Sequence, residues 1–442
     1  TSVRAELPNI AGTMPEDYLP GLKKLLDVAG RQSSQMLLKQ VEIDKASAGI
    51  IAANARRRPS LSADVNYASS RTAVSSNTDT QSRDNGLFYS IGLNQPLFYW
   101  GELQKGYEIA QLRELIAKRS FSEARRVLSG VVRQQYLLLV TKKSALAHGR
   151  SALDLVKAEV ASLEARSKDG IVADAEVQGR KLFLAERTVE FDELEAAYVK
   201  DRRSLGRLAG AEDLAEDDVA SEIPKPVPQT EASGLLVAEL LRTGGKNTFS
   251  AQIAEMKVKD ADLSYRIQRL RNLPKFNFGA GSSLQNSTNA TPNSVSQTGI
   301  AQQSLSINAH WSIWDSGATK AAKLDTLADK RSAQVQLKLT TDVTTEQALA
   351  AQKDVELKAR KLELVDTRQT IAAVGVDRLA KDVDFGMASR ISVDVATRDL
   401  RAAEYATALA RALYFIAWSE LVSLVGADPV TTPSSPTAHV RP

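Results

Sequence analysis

The sequence repeats itself. Arg58-Pro59-Ser60-Leu61 returns as Leu273-Pro274-Lys275-Phe276 at an offset of 215, and Leu97-Phe98-Tyr99-Trp100-Gly101 returns as Ile313-Trp314-Asp315-Ser316-Gly317 at 216. Gly170-Ile171-Val172-Ala173, with Val177 beyond it, returns as Gly386-Met387-Ala388-Ser389 with Val393, again at 216. Leu25-Leu26 returns as Leu240-Leu241 at 215. Four landmarks in one order at a near-constant offset mark a duplicated unit. The copies span 17–210 and 233–428. Between them lies a linker, 211–232, stiffened by Pro224, Pro226 and Pro228. The Pro/Ser/Thr-rich stretch 429–442 reads as a disordered tail.

Proline placement sets what each copy can contain. None of the 14 prolines falls between Pro96 and Pro224 or between Pro292 and Pro429. A proline inside a helix costs about 3 kcal/mol, so these stretches admit long helices. They are rich in Ala, Leu, Lys, Arg, Glu and Gln, with apolar residues three and four apart, as in Leu112, Leu115 and Ile116 or Leu357, Leu362, Leu364 and Val365. The pattern predicts long helices over 101–168 and 317–385, each followed by a Gly turn and a second helix, 173–208 and 390–426. Gly101 to Gly170 and Gly317 to Gly386 are both 69 residues, about 100 Å of helix at 1.5 Å per residue. No compact domain is that long, so these helices must project and pack like coiled coils.

Ahead of each long helix lie two period-two segments, giving strands over 60–69, 86–95, 275–283 and 303–313. Leu61, Ala63, Val65 and Tyr67 alternate with Ser62, Asp64 and Asn66; Leu87, Tyr89, Ile91 and Leu93 alternate with Phe88, Ser90, Gly92 and Asn94. The second copy sets Phe276, Phe278 and Ala280 against Asn277, Gly279 and Gly281, then Leu305, Ile307, Ala309, Trp311 and Ile313 against Ser306, Asn308, His310 and Ser312. Segments of about ten residues, apolar on one face only, suit a transmembrane barrel. The same alternation suits a water-soluble sheet with one covered face. Aromatics gather where the strands enter the long helices (Phe98, Tyr99, Trp100, Trp311, Trp314), the place of an interfacial girdle. Core packing is the other reading of these rings. Pro59, Pro96, Gly101, Pro274 and Gly317 mark the strand–helix junctions. The Ser/Thr/Asn-rich segments 69–85 and 282–303 read as extracellular loops. Four strands cannot close a barrel, and an open edge is not viable in lipid, so a membrane sheet needs strands from other copies; three copies would give twelve.

Composition excludes much. No stretch approaches the 18 apolar residues of a spanning helix. The chain has no cysteine, which removes disulfides, thiol catalysis and thiolate zinc. A net charge of +4 is too mild to argue for nucleic acid. No catalytic motif, metal-spaced His set or cofactor-binding loop is present; Gly244-Gly245-Lys246-Asn247-Thr248 lacks the spacing of a phosphate loop, and His148, His310 and His439 read as ordinary polar residues. The chain is read as a non-enzyme with no cofactor and no metal.

The order and spacing of these motifs resemble the TolC family of bacterial outer-membrane efflux proteins. The likeness is carried by the helix exit Ala55-Arg56-Arg57-Arg58-Pro59-Ser60-Leu61, the junction Gln95-Pro96-Leu97-Phe98…Gly101, and the turns Gly170…Val177 and Gly386…Val393, over about 17–428. The resemblance implies a mainly α fold with β: two tandem repeats forming a long coiled-coil helical barrel continuous with a transmembrane β-barrel, four strands from each chain of a homotrimer. It implies an outer-membrane location reaching into the periplasm, contact with outer-membrane lipid, and two partners, a periplasmic adaptor and an inner-membrane transporter. The function implied is the passive exit duct of an efflux or type I secretion system. It places the periplasmic gate at the hairpin turns, with Gly170, Asp174, Glu176, Val177, Gly386, Arg390, Val393 and Asp394 as candidates and Asp382 and Asp384 beside them. Each charge has a plainer reading as a solvated helix-face residue. Two departures stand out. The second junction reads Trp314-Asp315-Ser316-Gly317, and the acidic place before Val177, filled by Glu176, holds Ser392 in the second copy with Asp394 beyond Val393. Lipid-anchored relatives begin with cysteine; none is present, so no anchor is expected. The competing function is a soluble, elongated coiled-coil structural or interaction protein, whose strands would lie covered by helices.

Overall fold

The structure is a computed structural model that describes residues 12–74, 80–211, 214–291 and 294–431. Each repeat runs in the same order. In the first, α1 (Pro15–Tyr18) and α2 (Pro20–Gln32) precede α3 (Ser34–Ala55), β1 (Ser60–Val74), β2 (Thr80–Phe98), α4 (Glu102–Lys168) and α5 (Asp174–Ala209). In the second, α6 (Thr230–Thr243) precedes α7 (Phe249–Arg269), β3 (Lys275–Thr291), β4 (Ser294–His310), α8 (Ala318–Asp384) and α9 (Arg390–Leu424). The long helices α4 and α8 are 67 residues each, against 101–168 and 317–385 read from the sequence.

The chain divides into two compact units. One comprises 1–41, 119–253 and 338–442, and holds both apolar cores. In the first core, Leu22 and Leu26 of α2 pack with Val132, Tyr136 and Leu137 of α4, Leu205 of α5 and Phe415 of α9. In the second, Leu236 and Leu240 of α6 pack with Ala348 and Val355 of α8 and Tyr414, Trp418 and Leu421 of α9. The short amphipathic helix of each repeat thus caps the middle of that repeat's long helix, and α9 serves both cores. Each fully buried large side chain contributes about 1.5–3 kcal/mol relative to exposure. The inter-repeat segment is more than a spacer. Leu214, Val219 and Ile223 are buried in the first core. The Tyr136 hydroxyl donates to Asp218 O (2.8 Å) and accepts from Ala220 N (3.1 Å), and the Tyr414 hydroxyl accepts from Gln229 N (2.8 Å).

A buried ion triad ties both ends of the described chain to α4. Arg133 donates to Glu16 through Nε (3.0 Å) and Nη2 (2.5 Å), and to Asp428 through Nη1 (2.6 Å) and Nη2 (2.9 Å). All three side chains are buried. Burial alone would lower the guanidinium's pKa, but the hydrogen bonds and charges of Asp428 and Glu16 outweigh it and raise it. Trp418 Nε1 donates to Thr13 Oγ1 at 3.1 Å on the same side. The tail expected over 429–442 is described only to Thr431, a buried residue whose hydroxyl donates to Asp428 O (2.9 Å); residues 432–442 and His439 lie outside the described residues.

The second unit, 42–118 and 254–337, contains the sheet and has almost no core of its own. Among its described residues only Ile109, Ala254 and Thr319 are buried. Charges hold its helices instead: Arg113–Asp260 (3.0 Å), Lys330–Asp262 (2.7 Å) and Lys275–Glu102 (2.7 Å) cross between elements. Lys330, and then Arg266, hold the Asp262 carboxyl below the ordinary aspartate range.

The sheet is antiparallel in the order β1-β2-β3-β4. Its strands run beyond the alternating segments that announced them. β1 reaches Val74 instead of 69, β2 spans Thr80–Phe98 instead of 86–95, and β3 continues to Thr291 instead of 283. β4 begins at Ser294 instead of 303 and ends at His310, which leaves Trp311 and Ile313 outside it. The segments 69–85 and 282–303, read as loops, are therefore mostly strand; residues 75–79 and 292–293 lie outside the described residues. Backbone ladders need extended residues with paired N–H and C=O groups, not apolar alternation. The register runs unbroken through Ser, Thr and Asn, from Ser60↔Asn94 to Val74↔Thr80 and from Lys275↔His310 to Thr291↔Ser294.

Replacing Arg133 with Met leaves Glu16 and Asp428 buried without a cation. The expected loss is about 3–5 kcal/mol, read as a lower denaturation midpoint of the detergent-purified protein. A midpoint within error of wild type would remove the triad from the stability of this unit.

Candidate functional site: an apolar strand band and two hairpin turns

Directly opposed residues share a face of a sheet, so the register shows where the strand side chains gather. The rows Leu61–Leu93–Ala280–Leu305 and Val65–Tyr89–Leu284–Ala301 are apolar across all four strands. The row between them, Ala63–Ile91–Ser282–Gln303, is apolar only on β1 and β2. Phe278 pairs with Ile307 and Phe276 with Ala309 on the same face. The band covers Leu61–Tyr67 on β1 and Phe276–Leu284 on β3, about 20–26 Å along the strand at 3.3 Å per residue; at the tilt of barrel strands that is roughly 14–21 Å of height, somewhat under the apolar band of an outer-membrane barrel. The band is bare. Leu305 is 80% exposed and Leu61 72%, so no helix among the described residues covers it, as a soluble sheet would require. The opposite face carries Ser62, Asp64, Ser90, Ser283, Ser304 and Asn308 among others. β1 and β4 are edges, with no further strand among the described residues.

One irregularity ends the band. The β2–β3 register shifts between Pro96 and Phe98, so that Phe98 pairs with Phe276. Pro96 has no N–H to give the ladder, which makes it a natural place for a shift. The shift reverses face parity and carries Phe98 onto the apolar side. There Phe98 meets Trp100 edge-on, with ring centroids 4.8 Å apart. Trp100 Nε1 donates to Pro274 O and Trp311 Nε1 to Asn272 O, both at 2.8 Å, while Trp314 is 84% exposed. Rings with an apolar body and a bonded polar tip suit a membrane interface. Tyr99 departs from the group: its hydroxyl donates to Asn277 Oδ1 (2.9 Å), a residue of the polar face, and Lys275 lies over its ring.

The two strand-to-helix junctions share one geometry. Trp100 (φ 55°) and Gly101 (φ 80°) are both left-handed, as are Ser316 (φ 53°) and Gly317 (φ 91°). Two such residues turn the strand into the helix, and the turn is closed by Glu102 N→Tyr99 O in one copy and Ala318 N→Asp315 O in the other. Pro59 and Pro274 immediately precede β1 and β3, where the missing N–H costs no ladder bond. Asp315, which marked the second junction as a departure, is a helix cap. Its carboxylate accepts from Gly317 N (3.2 Å), Thr319 N (2.8 Å) and the Thr319 hydroxyl. Thr319, and then the backbone N–H groups, hold it below the ordinary aspartate range. An Asp shortly before a proline-free apolar run is the signal that identifies such a cap.

The hairpin turns also match. Gly170 (φ 74°) and Gly386 (φ 71°) end α4 and α8. Each turn is closed by paired bonds: Gly170 N→Ser167 O with Ile171 N→Arg166 O, and Gly386 N→Val383 O with Met387 N→Asp382 O. This left-handed end favours glycine, which has no Cβ to strain a positive φ. Asp174, Glu176, Arg390 and Asp394 are exposed beyond the turns, Val177 is buried and Val393 half-buried. The Ser167 hydroxyl donates to Asp174 Oδ1 at 2.6 Å across the first turn. In the second, Ser389 caps α9 by accepting from Ser392 N. Along α4, α5 and α9 near these turns lies an open groove of about 1220 Å³, lined by Leu153, Phe183, Phe191, Arg180, Asp394 and Arg398 among others. His148 of α4 bonds Ser144 (3.2 Å), and burial pushes its imidazole below the usual histidine range. Among the described residues no group of three His, Asp or Glu has the arrangement of a metal site.

These features have counterparts. The sequence profile of the outer membrane efflux protein family matches residues 25–211 and 246–427, one segment per repeat. No curated protein matches the sequence. Among solved structures, the CmeC outer membrane channel of Campylobacter jejuni superposes with a TM-score of 0.71 at 13% identity, covering 92% of this chain and 86% of that one. The outer membrane protein VceC of Vibrio cholerae gives 0.67 at 15%, covering 92% and 96%. The open state of the Neisseria gonorrhoeae MtrE outer membrane channel gives 0.66 at 14%, covering 92% and 89%. At these identities the likeness is one of fold; the profile, matched over both repeats and most of the chain, is what decides that this chain belongs to the outer membrane efflux protein family.

Proposed function

We propose that three copies of this chain close a twelve-stranded barrel in the outer membrane, and that the assembly is a passive exit duct gated at its helical hairpins. The observation that carries this reading is the four-stranded sheet, bare and apolar on one face, with two unpaired edges. In hydrocarbon each unpaired backbone group costs several kcal/mol, so edge β1 of one copy pairs with edge β4 of the next until the ring closes. Three is the number that family membership implies. The bare apolar residues of the sheet-bearing unit (Ile51, Leu115, Leu324, Val335) suit contact between copies. A periplasmic adaptor and an inner-membrane transporter complete the pathway, and the groove lined by Phe183 and Phe191 is offered to the adaptor. The family is one of conduits, and the chain is read as having no chemistry of its own.

Extraction tests the assembly. The protein is expected to leave membranes only with detergent, to weigh three chains by light scattering, and to fall to one chain on gels after heating. A detergent-free monomer would overturn the duct.

Glu176 and Asp394 are placed in the gate as a cation-attracting ring, with Asp174 and Arg390 as flanking contacts and Gly170 and Gly386 as the turns that let the hairpins converge. Opposite charges near 4 Å interact by about 1 kcal/mol in water and more at a protein surface. Glu176→Gln with Asp394→Asn is therefore expected to weaken block by a trivalent cation about tenfold in planar-bilayer recordings. Unchanged conductance and unchanged block would remove both residues from the ring.

A further inference from the structure

The polar face of the sheet has two exceptions. Among its described side chains, Phe88 and Ile300 are the large apolar residues; their neighbours on that face are Ser, Thr, Asn, Gln and Gly, with Asp64, the small Ala68, Pro96, Lys275 and His310. The two share one row of the ladder: Asn66 pairs with Phe88, Phe88 with Gln285, and Gln285 with Ile300. The register is continuous through these positions, so neither is turned to the apolar side by a bulge. Ile300 is 54% exposed and Phe88 half-buried. Toward the helices the same face is floored by glycine, with Gly92 opposite Gly281 and Gly279 two residues on. A Cβ on Gly279 would meet Ser306 Oγ at 3.0 Å. Phe88 and Ile300 are therefore tall apolar side chains standing in a low, hydroxyl- and amide-lined surface.

In the closed barrel proposed above, on which this inference rests, the polar face lines the lumen. Lumens of such barrels are polar because water fills them. We propose that Phe88 and Ile300, repeated in each copy, form an apolar contact strip inside the lumen, and that the strip takes the apolar part of amphiphilic organic cargo, organic cations included. A phenyl face attracts a cation electrostatically and an apolar body by dispersion. The branched Ile300, one strand beyond Gln285, extends the contact along the row. Small hydrated ions gain nothing from such a strip, so it favours amphiphiles over simple ions without a charged binding site.

The chain's lack of cysteine makes the test direct. Full-length protein in phospholipid vesicles carries Gln285→Cys, between the two residues on the lumen face, or Tyr89→Cys, on the lipid face. A charged, membrane-impermeant thiol reagent is expected to label Gln285→Cys and spare Tyr89→Cys. Tetraphenylphosphonium is expected to slow labelling at Gln285→Cys about two- to fivefold more than tetramethylammonium of equal charge, the factor an exposed cation–aromatic contact supplies. Adding Phe88→Ser and Ile300→Ser should abolish that difference, whereas Phe88→Leu with Ile300→Val, which keeps the surface apolar and the packing intact, should retain part of it. Equal slowing with and without the apolar pair overturns the strip while leaving the duct in place. Equal labelling of both faces overturns the closed barrel, and the strip with it.

Discussion

An unpaired backbone N–H or C=O is expensive in hydrocarbon, and a four-stranded sheet has two edges full of them. Much of this chain follows from that constraint. The register must be unambiguous, because a slip of one residue would turn every band residue to the other face. It is continuous along β1–β2 and β3–β4, and its one shift, at Pro96, falls where the apolar band ends. The junctions then have to take the chain from strand to helix within a few residues. Paired left-handed residues at Trp100-Gly101 and Ser316-Gly317 do so in both copies.

The two units meet different demands with different forces. The unit holding the cores is stabilised within one chain, by apolar side chains from seven helices and by the Arg133 triad. The sheet-bearing unit buries almost nothing by itself and relies on cross-element ion pairs. Exposed pairs contribute about 0.2–1 kcal/mol each, too little to stabilise a free monomeric sheet with a bare apolar face. In the proposed assembly, burial against lipid and neighbouring copies would supply most of the stabilisation, which couples folding of this unit to assembly and insertion.

Much of this was legible in the sequence because it is local. The proline-free helices and the Gly170 and Gly386 turns depend on residues a few positions apart, and the repeat shows because those local patterns recur at one offset. So does the apolar alternation of Leu61–Tyr67 and Leu87–Leu93. Strand ends were not legible, because the ladder continues through Ser, Thr and Asn after alternation stops. Nor was the triad: Glu16 and Asp428 lie 117 and 295 residues from Arg133, and nothing near any of them marks it. Asp315 stands out in the sequence as a departure from the first junction, but its role as a cap rests on the bonds to Gly317 and Thr319. The parity switch at Pro96 was hidden for a similar reason. A bulge changes which face Phe98 joins without changing its neighbours in sequence.

The two hairpins share turn geometry but not reinforcement. Three salt bridges cross from α4 to α5: Lys142–Asp201, Glu159–Arg180 and Glu164–Lys181. The first hairpin also has the Ser167–Asp174 bond at its turn and Val177 buried. From α8 to α9, among the described residues, the salt bridge is Asp366–Arg411, far along both helices from Gly386. The charges nearer that turn pair within α9, as Arg398–Asp399 and Arg401–Glu404 do. At about 0.2–1 kcal/mol for each exposed pair, the difference is a few kcal/mol at most. That is too small to decide whether either hairpin forms, since the glycine-closed turns and the long helices already ensure it. It is comparable to the cost of parting two helices over a turn or two, so the pairs bear on which hairpin yields first. By that measure α8–α9 is the more weakly latched of the two near its tip.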